Sequence, residues 1–268
     1  MGMIVFSDLD GSLLDHHTYS FEEAAPALEA LAAKGIPLIL CSSKTRVEMI
    51  GIWNELGLDS PFIVENGAAV FLRKEHFLAS QPGWQTAGKG WRMFALGEPI
   101  AEVRARFAKF KGPFKAMGFG HLSDQEVANM TGLTLKQAAL ARQREFNEPV
   151  WLPDPATQAD AFVQAAREAG LEVTRGGRFF HLLAGGDKGK AVKKVADLYR
   201  LYDPQLFTMA IGDALNDLPM LAMADRPVLV AKHDGSHADL ELDGLIREPG
   251  VGPKGWNAAM LAALRDLA

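Results

Sequence analysis

The chain of 268 residues carries a single cysteine, Cys41. An internal disulfide is therefore excluded, and the composition fits a reducing compartment. Cys41 falls inside an apolar run, which marks it as core filler rather than a nucleophile. No apolar run approaches ~18 residues, so no transmembrane helix is expected. The first residues pass straight into a strand without a signal-peptide pattern, and the expected location is cytoplasmic. Positive charge is not in excess either. There are 28 Lys and Arg against 33 Asp and Glu, for a net charge of −5. That balance gives no nucleic-acid footprint. Internal repeats, low-complexity segments and EF-hand-like loops are also missing. What is there is an ordinary globular composition, 48% apolar and 23% charged, long enough for one large or two modest domains. Small-molecule chemistry fits it better than nucleic acid or membrane. Nothing in it fixes an oligomeric state.

The chain is organised around Met3 to Leu14. The apolar run Ile4-Val5-Phe6 ends in two aspartates one residue apart. Such a run before a glycine turn reads as a buried strand. Residues i and i+2 of an extended chain point the same way, so Asp8 and Asp10 project together from its carboxyl end. In open parallel sheets ligands bind at that end.

The rest of the chain alternates strand and helix. Ser20 with Glu23 has the form of a capping box for a helix ending before Gly35. Pro37 to Cys41 is a strand, followed by Ser42-Ser43-Lys44-Thr45-Arg46 and a helix to about Leu56. Pro61 to Val64 and Ala68 to Leu72 form a hairpin around Glu65-Asn66-Gly67. Gln81 to Gly90 reads as a boundary. Residues 84–186 then read as an inserted α+β unit, with capping boxes at Ser123/Glu126 and Thr134/Gln137 and a helix capped by Asp154 before Pro155. A hairpin follows, turning at Gly176-Gly177. The parallel rhythm returns with a helix opened by Lys188 and a strand, Phe207 to Ile211, ending in Gly212-Asp213-Ala214-Leu215-Asn216-Asp217. A last helix runs to about Leu267. The fold class is α/β, a parallel-sheet Rossmann-like core of residues 1–83 and 187–268 interrupted by the insertion.

Asp8, Asp10, Asp213 and Asp217 converge at strand ends as a hard, oxygen-rich pocket that suits Mg²⁺. Ser42, at a strand end, can hold a phosphate oxygen with the N–H groups after it, though alone it is equally a helix N-cap. Lys188 can neutralise a phosphate and a carboxylate, though an isolated lysine is more often a solvated surface charge.

Together these pieces resemble the haloacid dehalogenase-like superfamily of phosphohydrolases. The matching motifs are Asp8-Leu9-Asp10-Gly11-Ser12, Ile39-Leu40-Cys41-Ser42, Lys188 and Gly212-Asp213-Ala214-Leu215-Asn216-Asp217. The resemblance implies that Asp8 attacks phosphorus to form an aspartyl-phosphate and that Asp10 is general acid, then base. It places Mg²⁺ between Asp8, the backbone carbonyl of Asp10 and Asp213. Lys188 and Ser42 stabilise the charge. Asn216 contacts the phosphate, and Asp217 orients Lys188 or a metal-bound water.

The insertion resembles the cap of mannosyl-3-phosphoglycerate phosphatases, and the resemblance extends into the core over almost the whole length. The shared stretches are Ser43-Lys44-Thr45-Arg46, Glu65-Asn66-Gly67-Ala68, Gly118-Phe119-Gly120, Thr131-Gly132-Leu133, Arg144-Glu145-Phe146-Asn147-Glu148-Pro149 and Gly177-Arg178-Phe179-Phe180-His181-Leu182. The implied reaction converts mannosyl-3-phosphoglycerate to mannosylglycerate and phosphate. A glucosyl-phosphoglycerate or other sugar phosphatase, a phosphomutase and a non-catalytic sugar-phosphate module carry related patterns. Ser43, Lys44, Arg46, Glu65, Asn66, Arg144, Asn147, Arg178 and His181 are the residues expected to read the glycerate carboxylate and the sugar hydroxyls.

Overall fold

The alternation of Met3–Ser7 divides this strand between two hydrophobic cores. Met3 and Val5 join Leu38, Leu40, Met49, Trp53 and Trp256 on one face of the sheet. Ile4 and Phe6 join Ile39, Cys41, Val192, Val195 and Leu221 on the other. A strand covered by helices on both faces reads as a continuous apolar run, which is why this one was legible. Cys41 is core filler, and burial pushes its thiol up to about 12.

The structure, a computed structural model, describes residues 2–176 and 178–266. In chain order its elements are β1 (Met3–Ser7), α1 (Ala25–Lys34), β2 (Leu38–Cys41), α2 (Arg46–Glu55), β3 (Phe62–Val64), β4 (Ala69–Arg73), β5 (Gln85–Thr86), β6 (Trp91–Ala95), α3 (Ile100–Phe114), β7 (Met117–Gly118) and α4 (Asp124–Thr131). There follow α5 (Leu135–Ala141), β8 (Glu148–Trp151), α6 (Pro155–Glu168), β9 (Glu172–Gly176), β10 (Phe179–Leu183), α7 (Lys188–Arg200), β11 (Phe207–Gly212), α8 (Leu218–Leu221), β12 (Arg226–Ala231), β13 (Ile246–Val251) and α9 (Gly252–Asp266).

Among the described residues the large sheet has nine strands in the order β13-β12-β11-β1-β2-β3-β4-β6-β5. Neighbours from β13 to β3 run parallel. β4, β6 and β5 extend one edge in antiparallel fashion. The chain leaves β1 towards β2 on one side and returns through β11 on the other. The carboxyl end of β1 is thus the switch point where a crevice opens.

The insertion carries its own sheet, in the order β7-β8-β10-β9. Its core is Val103, Phe107, Val150, Phe162, Phe180 and Leu182, between that sheet and helices α3 and α6. The boxes at Ser123/Glu126 and Thr134/Gln137 form, and Asp154 caps α6. The β9–β10 hairpin forms as well. Gly177 of its turn and Leu267 lie outside the described residues.

Three expectations are corrected. The Ser20/Glu23 box does not form. Ser20 Oγ accepts from the Glu22 N–H instead, and a 3₁₀ turn over Glu22–Ala24 precedes α1. Residues 85–95, expected in the insertion, hold β5 and β6, which belong to the large sheet because Trp91 packs on Trp53 and Phe62. The crossings between the two units consequently lie at residues 96–98 and 184–186, where Gly97 and Gly185 pair and Glu98 N–H donates to the Ala184 carbonyl at 2.8 Å.

Candidate active site

The backbone N–H of Asp8 donates to the Ile211 carbonyl at 2.9 Å, which sets the ends of β1 and β11 side by side. The loop after β1 turns back at Gly11, where φ is +82° and a Cβ would stand 2.8 Å from Asp213 Oδ2. Only glycine lets the two acidic segments approach so closely. Ser12 Oγ donates to Asp213 Oδ1 at 3.3 Å. Gly67 does the same for α7. A Cβ there would stand 2.1 Å from the Asp187 carbonyl, so the β3–β4 turn and the start of α7 are in direct backbone contact.

Lys188, 1% exposed, reaches from the first turn of α7 between two carboxylates. Its Nζ donates to Asp8 Oδ1 at 2.7 Å and to Asp217 Oδ1 at 2.6 Å. Asp217 Oδ2 accepts the backbone N–H groups of Asp213 and Ala214, both at 3.1 Å. Burial works against the charge of Lys188, but Asp217 and Asp8 hold it well above its ordinary value. Burial, then Asp217, lifts Asp8 well above the carboxylate range. The same two causes push Asp213 up to about 7. Carboxylate oxygens of Asp8, Asp213 and Asp217 lie within 4.8 Å of one another. Three carboxyls facing one ammonium leave surplus negative charge, and an all-oxygen donor set fits a hard divalent cation. Asp217 already serves Lys188 and two N–H groups, so Asp8 and Asp213 have more lone pairs to offer. The Asp10 side chain stands outside this triad, paired with Lys44 at 2.8 Å.

Ser42 is buried at the end of β2, its Oγ accepting from the Lys44 N–H at 3.3 Å. Asn216 is half-buried in the turn before α8. A cleft of about 610 Å³ lies between the core and the insertion. Of the residues expected to read the substrate, Ser43, Lys44, Arg144, Arg178 and His181 line it, together with Asp10.

Glu65, Arg46 and Asn147 serve the contact between the two units. Glu65 accepts the backbone N–H groups of Glu145, Phe146 and Asn147 at 2.8, 3.0 and 2.7 Å. Burial raises its carboxyl, and Arg144 with those three N–H groups opposes the rise. Arg46 pairs with Glu145 at 2.8 Å and donates to the Ala87 carbonyl. Arg144, though at the cleft, donates to the Ser43 and Ala141 carbonyls. Asn147 is fully buried and its Oδ1 lies 3.0 Å from His181 Nδ1. In that pairing Nδ1 donates, which leaves Nε2 as the acceptor of a neutral ring. Burial, Arg144 and Lys188 push His181 down to about 3. Asn66 is buried too, and among the described residues neither its Oδ1 nor Asn147 Nδ2 has a hydrogen-bond partner.

Sequence reasoning gave no role to Ser12, which sits inside a motif it had quoted. It also passed over Thr45 and Glu48, which form a capping box for α2 while Thr45 Oγ1 lies 3.1 Å from the Leu140 carbonyl of the insertion. The Thr-x-x-Glu spacing was the available signal. His16 and His17 line the cleft and pack with His233. A histidine from a loop more than 200 residues away leaves no local pattern.

The family model for haloacid dehalogenase-like hydrolase matches residues 5–82 and 166–235, on either side of most of the insertion. A protein of Methanococcoides burtonii named glucosyl-3-phosphoglycerate/mannosyl-3-phosphoglycerate phosphatase is 40% identical over 264 residues, 97% of each chain. One of the same name from Persephonella marina is 38% identical over 267 residues, 99% of this chain and 98% of the relative. Among solved structures, Thermoplasma acidophilum 0175 matches with a TM-score of 0.68 at 17% identity, over 98% of each chain. The sucrose-phosphatase of Synechocystis matches with 0.63 at 14%, also over 98% of each. These two likenesses speak for the fold. Among the described residues no helix is long and apolar enough to cross a membrane. The motifs, the clustered carboxylates around Lys188 and the full-length relatives agree: the chain belongs to the haloacid dehalogenase-like hydrolases, and it is a phosphatase.

Proposed function

We propose that the protein is a Mg²⁺-dependent phosphatase converting mannosyl-3-phosphoglycerate to mannosylglycerate and phosphate. The glucosyl compound is the second substrate, since the names of both relatives carry it. The observation that carries the chemistry is Lys188 Nζ, buried 2.7 Å from Asp8 and 2.6 Å from Asp217. A buried ammonium fixed there orients the nucleophile and supplies positive charge where a phosphate must bind.

An Asp8 carboxylate oxygen forms its bond to phosphorus while the bond from phosphorus to the leaving alkoxide breaks with its electron pair. Asp10 delivers a proton to that alkoxide. A water then displaces Asp8 from phosphorus, and Asp10 takes its proton, which restores both aspartates. Lys188 and Ser42 hold the phosphoryl oxygens. When bound to Asp8 and Asp213, a divalent cation screens the repulsion between carboxylate and phosphate. Asp217 keeps Lys188 in place.

The division into a catalytic core and an inserted cap belongs to the same reading, with β5 and β6 on the core side and the cap between the crossings at residues 96–98 and 184–186. A cap over the site keeps bulk water from the acyl phosphate. Arg178 and His181 read the glycosyl-glycerate from the cap side.

Phosphate release across a panel of substrates tests the assignment. kcat/KM for mannosyl-3-phosphoglycerate should exceed that for hexose phosphates roughly a hundredfold, because remote groups contribute to transition-state binding. Arg178→Ala should erode the preference. Hexose phosphates as the better substrates would overturn the substrate assignment and leave the phosphatase core standing.

A further inference from the structure

Asp10 is not free in this structure. Lys44 Nζ lies 2.8 Å from Asp10 Oδ1, with 14% of the Lys44 side chain and 35% of the Asp10 side chain exposed. Both residues line the cleft. The ammonium sits 5.1 Å from the centre of the Tyr19 ring. Burial opposes its charge, and Asp10 and Glu48 hold it above its ordinary value all the same. Stripping the partner from a buried ammonium is costly. Yet Asp10 cannot hold Lys44 and also serve the leaving oxygen of a bound phosphate ester. Something must take Lys44 over.

The phosphate itself already has Lys188. A glycerate carboxylate stands on the same short carbon skeleton as the leaving oxygen, so it arrives beside Asp10. Two arginines near this part of the cleft are committed elsewhere, Arg46 to Glu145 and Ala87, Arg144 to Ser43 and Ala141. We propose that Lys44 is a substrate-displaced restraint on Asp10. The substrate's carboxylate takes Lys44 as its counter-ion, and the exchange frees Asp10 to reach the leaving oxygen. The carboxylate is thereby read as turnover as well as affinity. A phosphate ester without one binds and leaves Asp10 tied. The inference rests on the phosphoglycerate reading above.

The test compares 3-phosphoglycerate with glycerol 3-phosphate, which lacks the carboxylate and has an equally poor leaving group. With the wild type, kcat should be at least about tenfold higher for 3-phosphoglycerate. With Lys44→Met, kcat for glycerol 3-phosphate should rise at least about threefold and kcat for 3-phosphoglycerate should fall, so that the ratio approaches one. Lys44→Arg, which keeps the charge, should preserve most of the ratio. A rise in KM for 3-phosphoglycerate with both kcat values unmoved would mean that Lys44 only binds the carboxylate, and would overturn the restraint. Equal losses on both substrates would overturn it as well. If Lys44→Met does not fold, the wild-type pair decides, since equal kcat values contradict the proposal. Failure of the glycosyl-phosphoglycerate panel with this ratio intact would count against the substrate assignment alone.

Discussion

Glu65, at the end of β3, accepts the backbone N–H of Asn147 at 2.7 Å, joining the core to the insertion across 82 residues of sequence. Glu65 and Asn66 both hold left-handed backbone, with φ of 50° and 61°. Such φ values are strained for residues other than glycine. Bonds from their N–H groups to the carbonyls of Lys44 and Ser42 keep them there. One turn thus links the Ser42 loop to the segment that roofs the cleft.

Glu65→Gln keeps the shape and removes the charge. It should destabilise the protein by about 2 kcal/mol, as expected when bonds to a charged acceptor become bonds to a neutral one. Amide hydrogen exchange should accelerate at Glu145, Phe146 and Asn147 before other sites of the insertion. Unchanged protection at those three amides would contradict the role assigned to Glu65.

Chelation should abolish turnover, and Mg²⁺ should restore it. Ca²⁺ should bind but support little activity, because its larger and looser shell misplaces the nucleophile. Asp213→Ala should raise the Mg²⁺ requirement or remove activity altogether. Calorimetric titration gives a readout independent of turnover: Asp213→Ala should weaken Mg²⁺ binding. Wild-type affinity in that variant would contradict the carboxylate triad.

The sequence shows the floor of the site more clearly than its roof. Asp8 and Asp10, Ser42, Lys188 and Asp213 to Asp217 were legible because each sits at the end of an apolar run or the start of a helix, in a fixed local spacing. Ser123/Glu126 and Thr134/Gln137 were legible for the same local reason. Ser20/Glu23 has the same spacing and does not form, because a 3₁₀ turn at Glu22–Ala24 comes before α1. β13 contains Pro249 and Gly250, which interrupt the alternation that marks a strand. β6 follows a stretch rich in glycine and polar residues and was assigned to the wrong side of the boundary. Glu65 looked like a hydroxyl acceptor, since nothing local shows that three amides from residues 145–147 fold back onto it. Contacts made across the core–insertion interface have no period to read.

His181 gives a pH signature of stability. Its ring is held near 3 in the folded protein, against about 6.5 in an unfolded chain. Above about pH 6.5 the ring is neutral in both states, and its contribution is fully present. As pH falls from there towards 3, the unfolded chain takes up a proton that the folded one refuses. Stability is lost at up to about 1.4 kcal/mol per pH unit from this group. Chemical denaturation of His181→Gln between pH 6 and 4 should show a slope shallower by about that amount. Equal slopes in the two proteins would mean that His181 is not buried in the neutral form.

The central claim is that Asp8 carries the phosphoryl group while Lys188 holds it in place. Acid quenching during turnover of mannosyl-3-phosphoglycerate, followed by peptide mass mapping, tests it most directly. The expected result is a hydroxylamine-labile phosphate on Asp8, absent from Asp8→Asn together with turnover. Continued turnover by Asp8→Asn, or a phosphate trapped on another residue, would contradict the account.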